Sequence, residues 1–167
     1  NEVERNGEKL PEVAIREVTI LGKKGPARRA FYRRYDRLTY NIRKVYPYAL
    51  IVRDKMAEVN QALESIEDEK DRKQYLKGVE ELVLGEYEDD MMDMTITQGK
   101  LLIKLIDRET QNTSYELIKL YRGGFSAAFW QGIARIFGTN LKAEYDPYGE
   151  DAAIEAIIHD IEQGILV

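Results

Sequence analysis

The chain has 167 residues, 44% hydrophobic and 33% charged, with a net charge of -5; this describes one domain of ordinary size and excludes collagenous, low-complexity and fully disordered chains. With no cysteine and a single histidine, disulfide frameworks, thiol nucleophiles, cysteine–zinc sites and mechanisms needing two imidazoles are excluded. No apolar run approaches the roughly 18 residues of a membrane span.

Residues 1–22 predict an extended arm with one or two short strands. Val3-Glu4-Arg5 runs into Asn6-Gly7, a strong hairpin-turn signal, and Val13, Ile15, Val18 and Ile20 alternate with a period near two. The arm should end at Gly22-Lys23-Lys24-Gly25-Pro26.

From Pro26 the period changes. Phe31, Tyr35, Leu38, Ile42, Val45, Ala49, Val52, Met56, Val59, Leu63 and Ile66 are spaced alternately by four and three, which keeps one apolar seam on one side of a helix. The register runs across Pro47, so one long helix kinked there is expected, with a pair of helices split at Pro47 as the alternative. A second helix should open near Asp68, bury Tyr75, Leu76, Val79, Leu82, Val83 and Tyr87, and stop in the acidic run from Glu86. The charges segregate along these elements. Residues 23–55 hold eleven bases and two acids, residues 56–94 four bases and thirteen acids. Sequential helices usually pack together, so the two stretches are expected to neutralise one another. A basic surface for nucleic acid or anionic lipid is the competing reading.

Thr95 or Thr97 should cap a helix through Leu101-Leu102-Ile103-Lys104-Leu105-Ile106, apolar all round and therefore buried. Thr113 and Glu116 make a capping box, and Gly123-Gly124 is a break. Ser126 opens an apolar helix to Phe137 that Gly138 closes. Asp146-Pro147-Tyr148-Gly149 is a turn, and Ile154, Ile157, Ile158 and Ile161 form the buried stripe of a last helix stopped by Gly164. The fold class is all-α: a helical bundle with a long N-terminal helix or helix pair and the short arm, residues 23–167 forming one helical domain.

Polar side chains on otherwise apolar helices are the candidates for chemistry, because burial costs energy unless they are paired. Lys100, Lys104, Asp107 and Gln111 form a narrow stripe with Arg108 beside it, and Gln131 and Arg135 stand four apart on the Phe125–Phe137 helix. Facing each other, these stripes would make an anion or sugar pocket, with Lys104, Arg108 and Arg135 as donors and Asp107 as base or orienter. The alternative is an internal salt-bridge network or two solvated faces. Carboxylate pairs such as Glu144 with Asp146 suit glycoside cleavage, but thirty acids make such pairs expected by chance. Ser114 or Ser126 with Lys104 or Lys119 lacks a nucleophile signature. His159 should be exposed. No phosphate loop, dinucleotide fingerprint or EF-hand occurs; no catalytic set, metal site or cofactor site is recognised.

The segments Thr95-Ile96-Thr97-Gln98-Gly99-Lys100-Leu101-Leu102-Ile103-Lys104-Leu105-Ile106-Asp107-Arg108-Glu109-Thr110, Ser114-Tyr115-Glu116-Leu117-Ile118-Lys119, Arg122-Gly123-Gly124-Phe125, Phe129-Trp130-Gln131-Gly132-Ile133-Ala134-Arg135, Asn140-Leu141-Lys142 and Tyr145-Asp146-Pro147, with Val45-Tyr46-Pro47-Tyr48-Ala49, resemble the bacterial domain-of-unknown-function family 4294. The resemblance spans about residues 10–164 and is most specific over 95–147. Its members often look exported, which implies a periplasmic or envelope location. It supplies no catalytic residue, and it sets Gln98, Lys104, Asp107, Arg108, Trp130, Gln131, Lys142 and Tyr145 within the shared motifs.

Three functions follow as expectations. The first is an exported, non-catalytic interaction module with a protein or envelope partner, or a second copy bound through the arm or long helix. Starting at Asn1 rather than Met suits removal of a signal peptide or a tag. The second is a small cell-wall glycan or peptide hydrolase working through the Lys104, Asp107, Arg108, Gln131, Arg135 and Tyr145 region, residues that with Gln98 make the candidate binding set. The third is binding of anionic lipid or nucleic acid through residues 23–55, with the acidic pI near 5.1 weighing against nucleic acid.

Overall fold

A computed structural model describes residues 2–5, 8–11, 25–113, 116–117, 121, 125–137 and 142–166. The chain divides into two compact units, residues 1–34 and 35–167. In the first, strands β1 (Glu2–Arg5) and β2 (Glu8–Pro11) pair antiparallel. Arg5 stands opposite Glu8, so two residues connect the strands, as Asn6-Gly7 requires. The alternating residues Val13 to Ile20 lie outside the described residues.

Helix α1 runs unbroken from Pro26 to Glu64 with Pro47 inside it. The continuous seam therefore prevails over the proline. Pro47 removes the donor that would serve the Arg43 carbonyl, and both residues are exposed, so water can take the vacant place. The seam is buried only where other helices cover it. Ile42, Val45 and Ala49 are fully buried and Val59 nearly so, whereas Phe31, expected in the seam, is 58% exposed.

Helix α2 (Glu69–Met92) begins at Asp68, whose carboxylate accepts from the Lys70 N–H at 2.8 Å. It runs back along the second half of α1, with Met56, Val59 and Leu63 packed among Tyr75, Leu76 and Val79. Leu82, assigned to the buried face from its spacing, is half exposed. At 1.5 Å per residue α1 is roughly 58 Å long and α2 roughly 36 Å. The return helix accordingly ends near Tyr48, whose hydroxyl donates to Asp90 at 2.9 Å.

Helix α3 (Ile96–Thr110) carries a complete capping box: the Gln98 N–H donates to Thr95 Oγ1 and the Thr95 N–H to Gln98 Oε1. Leu101, Leu102, Ile103, Leu105 and Ile106 are all buried, as a helix apolar on every side must be. Gln111 ends it in the left-handed region, φ 55°. The Thr113–Glu116 box is present, while Gly123-Gly124 and Gly138 lie outside the described residues. Helix α4 (Ala127–Phe137) starts at Ser126, whose Oγ accepts from the Phe129 N–H at 3.1 Å. Helix α5 (Ala152–Glu162) follows the Asp146–Gly149 turn. It closes at Gly164, φ 70°, where the Ile165 N–H reaches back to Asp160 and the Gly164 N–H to Ile161, a Schellman ending.

The main core joins Ile42, Val45 and Ala49 of α1, the apolar barrel of α3, and Ile154, Ile157 and Ile158 of α5. Each buried valine, leucine or isoleucine among them contributes about 1.5–3 kcal/mol. The body of the molecule is an all-α helical bundle.

Candidate functional site

The polar stripe of α3 meets α5 and the loop before it, not α4. Lys104 and Arg108 stand one turn apart, as do Asp151 and Glu155, so the two pairs meet in register. Lys104 Nζ lies 2.7 Å from Asp151 Oδ1 and 3.6 Å from Glu150. Arg108 holds Glu155 with two parallel bonds of 2.8 and 2.9 Å, a fork geometry that only guanidinium provides. It also pairs with Glu109 and, at 3.4 Å, with Glu162. Arg53 on α1 adds a second cation for Glu109 at 3.3 Å. Tyr145 donates its hydroxyl to Glu155 at 2.7 Å, and Tyr46 donates to Glu162 at 2.7 Å.

Asp107 accepts the backbone N–H of Tyr145 at 2.6 Å, and Asp151 accepts that of Asp146 at 3.0 Å. Asp107 is thus a loop anchor, although its residue type suits a base. Gln98 is buried, engaged in its helix cap, and donates to Asn41 Oδ1 at 3.1 Å. Lys104, Asp107, Arg108 and Tyr145 therefore converge, Gln98 stands apart at the start of α3, and Gln131 and Arg135 are exposed on α4. No contact among the described residues joins those last two to the network. Glu144 is exposed, and Asp146 accepts from Tyr148 and Gly149 within its own turn. Ser126 Oγ donates to Glu80 rather than facing a lysine. Ser114 and Lys119 are outside the described residues, as is the side chain of Trp130. His159 is exposed.

Glu109, Asp151, Glu155 and Glu162, the network's carboxylates, were not singled out by the polar stripes. Their signal was the helical repeat Asp151, Glu155, Glu162, matched to Lys104 and Arg108. The electrostatics follow from the pairing. The Arg108 hydrogen bonds hold Glu155 below the usual carboxylate range. Burial raises the Tyr145 phenol, and its bond to Glu155 raises it further. Burial opposes the Lys104 ammonium, yet Asp151 and Glu150 overcome it and raise its pKa. The chemistry of the cluster is cohesion: its charges face one another.

Two other features lie elsewhere. Where α1, α2, α3 and α4 meet, a partly enclosed cleft of about 210 Å³ is lined by apolar side chains, including Met56, Val83, Met91, Ile103, Ile106 and Phe129. Among the described residues Lys55 is its single charged lining residue.

The first part of α1 presents the other feature. Arg29, Arg33, Arg37, Tyr40 and Lys44 follow helical spacing about half a turn away from the seam. These residues are exposed, as are Arg28, Arg34 and Arg43. None of these cations pairs with a carboxylate among the described residues. The expected neutralisation by α2 is not made through ion pairs: Arg37, Arg43 and Lys44 precede Tyr48, near which α2 ends, while Arg53 pairs with Asp54 and Glu109 and Lys55 with Glu58. Phe31, Tyr32 and Tyr40 are exposed between the cations, and Arg28 stacks over the Tyr32 ring at 5.5 Å.

Among the described residues no acidic or histidine group is arranged to hold a metal ion, and no helix is long and apolar enough to cross a membrane. No curated protein and no solved structure matches the chain. A family model does, over residues 8–160, and its shared segment contains the α3–α5 charge network entire except for Glu162. The chain belongs to the family described as domain of unknown function DUF4294.

Proposed function

We propose that the chain is a non-catalytic interaction module of the cell envelope that docks electrostatically on an anionic lipid surface. The observation that carries this reading is the outer stripe of α1, where Arg29, Arg33, Arg37 and Lys44 are exposed without carboxylate partners among the described residues. A cation held near an anionic leaflet contributes about 1 kcal/mol, so four acting together give an attraction of useful size. Exposed Phe31, Tyr32 and Tyr40 add rings suited to headgroup depth. The net charge of -5 repels the rest of the surface and thereby orients the contact. The self-paired network at Lys104 and Arg108 supports a cohesive role over a hydrolytic one. The envelope location rests on the family resemblance and belongs to the same proposal.

Co-sedimentation with vesicles tests it. Vesicles containing about a third anionic phospholipid should retain the protein and neutral vesicles should not. Retention should fall steeply between about 50 and 200 mM salt. Arg33→Glu with Arg37→Glu, both on the exposed face, should lower retention at least about tenfold without altering thermal stability. Equal retention by neutral vesicles, or indifference to salt, refutes the reading. Tighter binding to duplex DNA under the same conditions replaces it with nucleic-acid recognition.

A further inference from the structure

We propose that the outer face of α2 is a self-association surface, on which a second copy of the chain lays its own α2 antiparallel to form a weak, reversible dimer. The lipid-surface reading does not require this, since its cations stand on α1.

The charge pattern decides both occupant and orientation. Every base of α2, Lys70, Arg72, Lys73 and Lys77, lies in its first nine residues, and from Glu80 to Asp90 six acids occur with no base. Among the described residues these cations have one carboxylate partner between them, Glu69, which Lys73 approaches at 3.9 Å. The acids crowd the helix end whose dipole is already negative. On the neighbouring stretch of α1, Arg53 is engaged with Asp54 and Glu109, and Lys55 with Glu58. A helix basic at one end and acidic at the other is complementary to its own reversed copy. Antiparallel pairing sets each acidic end beside the basic, positive-dipole end of the other copy, whereas parallel pairing sets like on like.

The shape of the face fits that pairing. Gln74, Gly78, Leu82, Gly85, Asp89 and Met92 follow at steps of four and three, all exposed and turned away from buried Leu76. Glycine inside a helix is destabilising relative to alanine. A Cβ at Gly78 or Gly85 would meet nothing within 4 Å, so the fold of a single chain gains nothing from either. Two turns apart, they let a second backbone approach closely on both sides of half-exposed Leu82. With the two-fold axis midway between Glu81 and Leu82, Gly78 faces Gly85 of the second copy and the two Leu82 side chains meet at the centre. Lys77 then comes within about 3 Å, along the axis, of the level of Glu88 in the second copy. Helix α2 is about 36 Å long and about 12 Å across. One face therefore covers roughly 400 Å² per copy, the size of weak, transient contacts rather than obligate ones.

The experiment is sedimentation equilibrium of the full chain, without lipid, from about 10 µM to about 1 mM protein in about 50 mM salt, the range a weak interface needs. A reversible monomer–dimer equilibrium is expected, loosened at least about threefold by about 300 mM salt. Lys77→Glu and Glu88→Lys should each weaken it about fivefold, and the two combined in one chain should restore it. Those sites stand three turns apart on one helix, too far to pair within it, so the rescue reads contact between copies running in opposite directions. Gly78→Gln with Gly85→Gln should weaken dimerisation at least about tenfold while raising the thermal midpoint, a combination that a role within one chain does not produce. All four positions are exposed, so folding is preserved. A chain monomeric throughout, a double charge exchange no better than its parents, or dimerisation indifferent to the glycine variants would each overturn the proposal. So would a dimer lost on Arg33→Glu with Arg37→Glu and kept by the α2 variants, which would move the contact to α1.

Discussion

Replacing Arg108 with methionine keeps the aliphatic stem and removes the fork that gathers three carboxylates. In the native chain the Arg108 side chain is 17% exposed, and its partners range from Glu109 at 8% to Glu162 at 43%. Breaking a fully buried pair costs about 3–5 kcal/mol, and a surface pair about 0.2–1 kcal/mol. The intermediate burial sets the cost of Arg108→Met at about 2–3 kcal/mol near pH 7. For a body of this size that lowers the thermal midpoint by roughly 6–12 °C. Acid should erase the difference. Glu155 titrates below its ordinary 4.5 in the native state, chiefly through its bonds to Arg108. Its contribution is therefore complete above about pH 4.5 and lost as the pH falls through the lowered native value. The variant keeps only the smaller lowering by Tyr145 and His159 and so has less to lose. Urea unfolding followed by circular dichroism at pH 7 and in steps below pH 4.5 gives both numbers. Adding Glu155→Gln should cost less in the variant than in the native chain, with a coupling above about 1 kcal/mol. A cost below about 0.5 kcal/mol at neutral pH, or a gap that persists undiminished in acid, would show that the network does not hold α3 to α5 as described.

Two further substitutions test the local architecture. Gln111→Gly relieves a side chain from the left-handed conformation that ends α3 and should stabilise the chain by about 0.5–1 kcal/mol in urea unfolding; a loss would mean that the Gln111 side chain itself is needed. Thr95→Ala removes one half of the α3 capping box and should cost about 1 kcal/mol by the same measurement, with faster amide exchange confined to the first turn of α3.

Much of the framework was legible because local rules agree with one another. The four–three spacing from Tyr35 to Leu63 outlasts Pro47, since one missing donor on a solvated face is a small defect against a shared apolar seam. Asp68, Thr95, Thr113 and Ser126 are caps in the sequence and caps in the structure, because their side chains need only a neighbour two or three residues away. The candidate site was legible by half. Lys104, Asp107, Arg108 and Tyr145 do come together, but the stripe they make faces α5 and its loop. Spacing shows which residues share a face of one helix and says nothing of which helix lies opposite.

The same distinction runs through the whole protein. Helix type, caps, the hairpin register at Arg5 and Glu8, and the burial of Ile103 follow from the residues within a turn or two of each. Partners distant in the chain depend on relative helix length and placement. Asp151 meets Lys104 across 47 positions, Arg37, Arg43 and Lys44 of α1 lie past the end of α2, and four helices leave a cleft that no single stretch encodes. Charge balance and packed volume are properties of the assembled bundle, since each is settled by which surfaces finally touch.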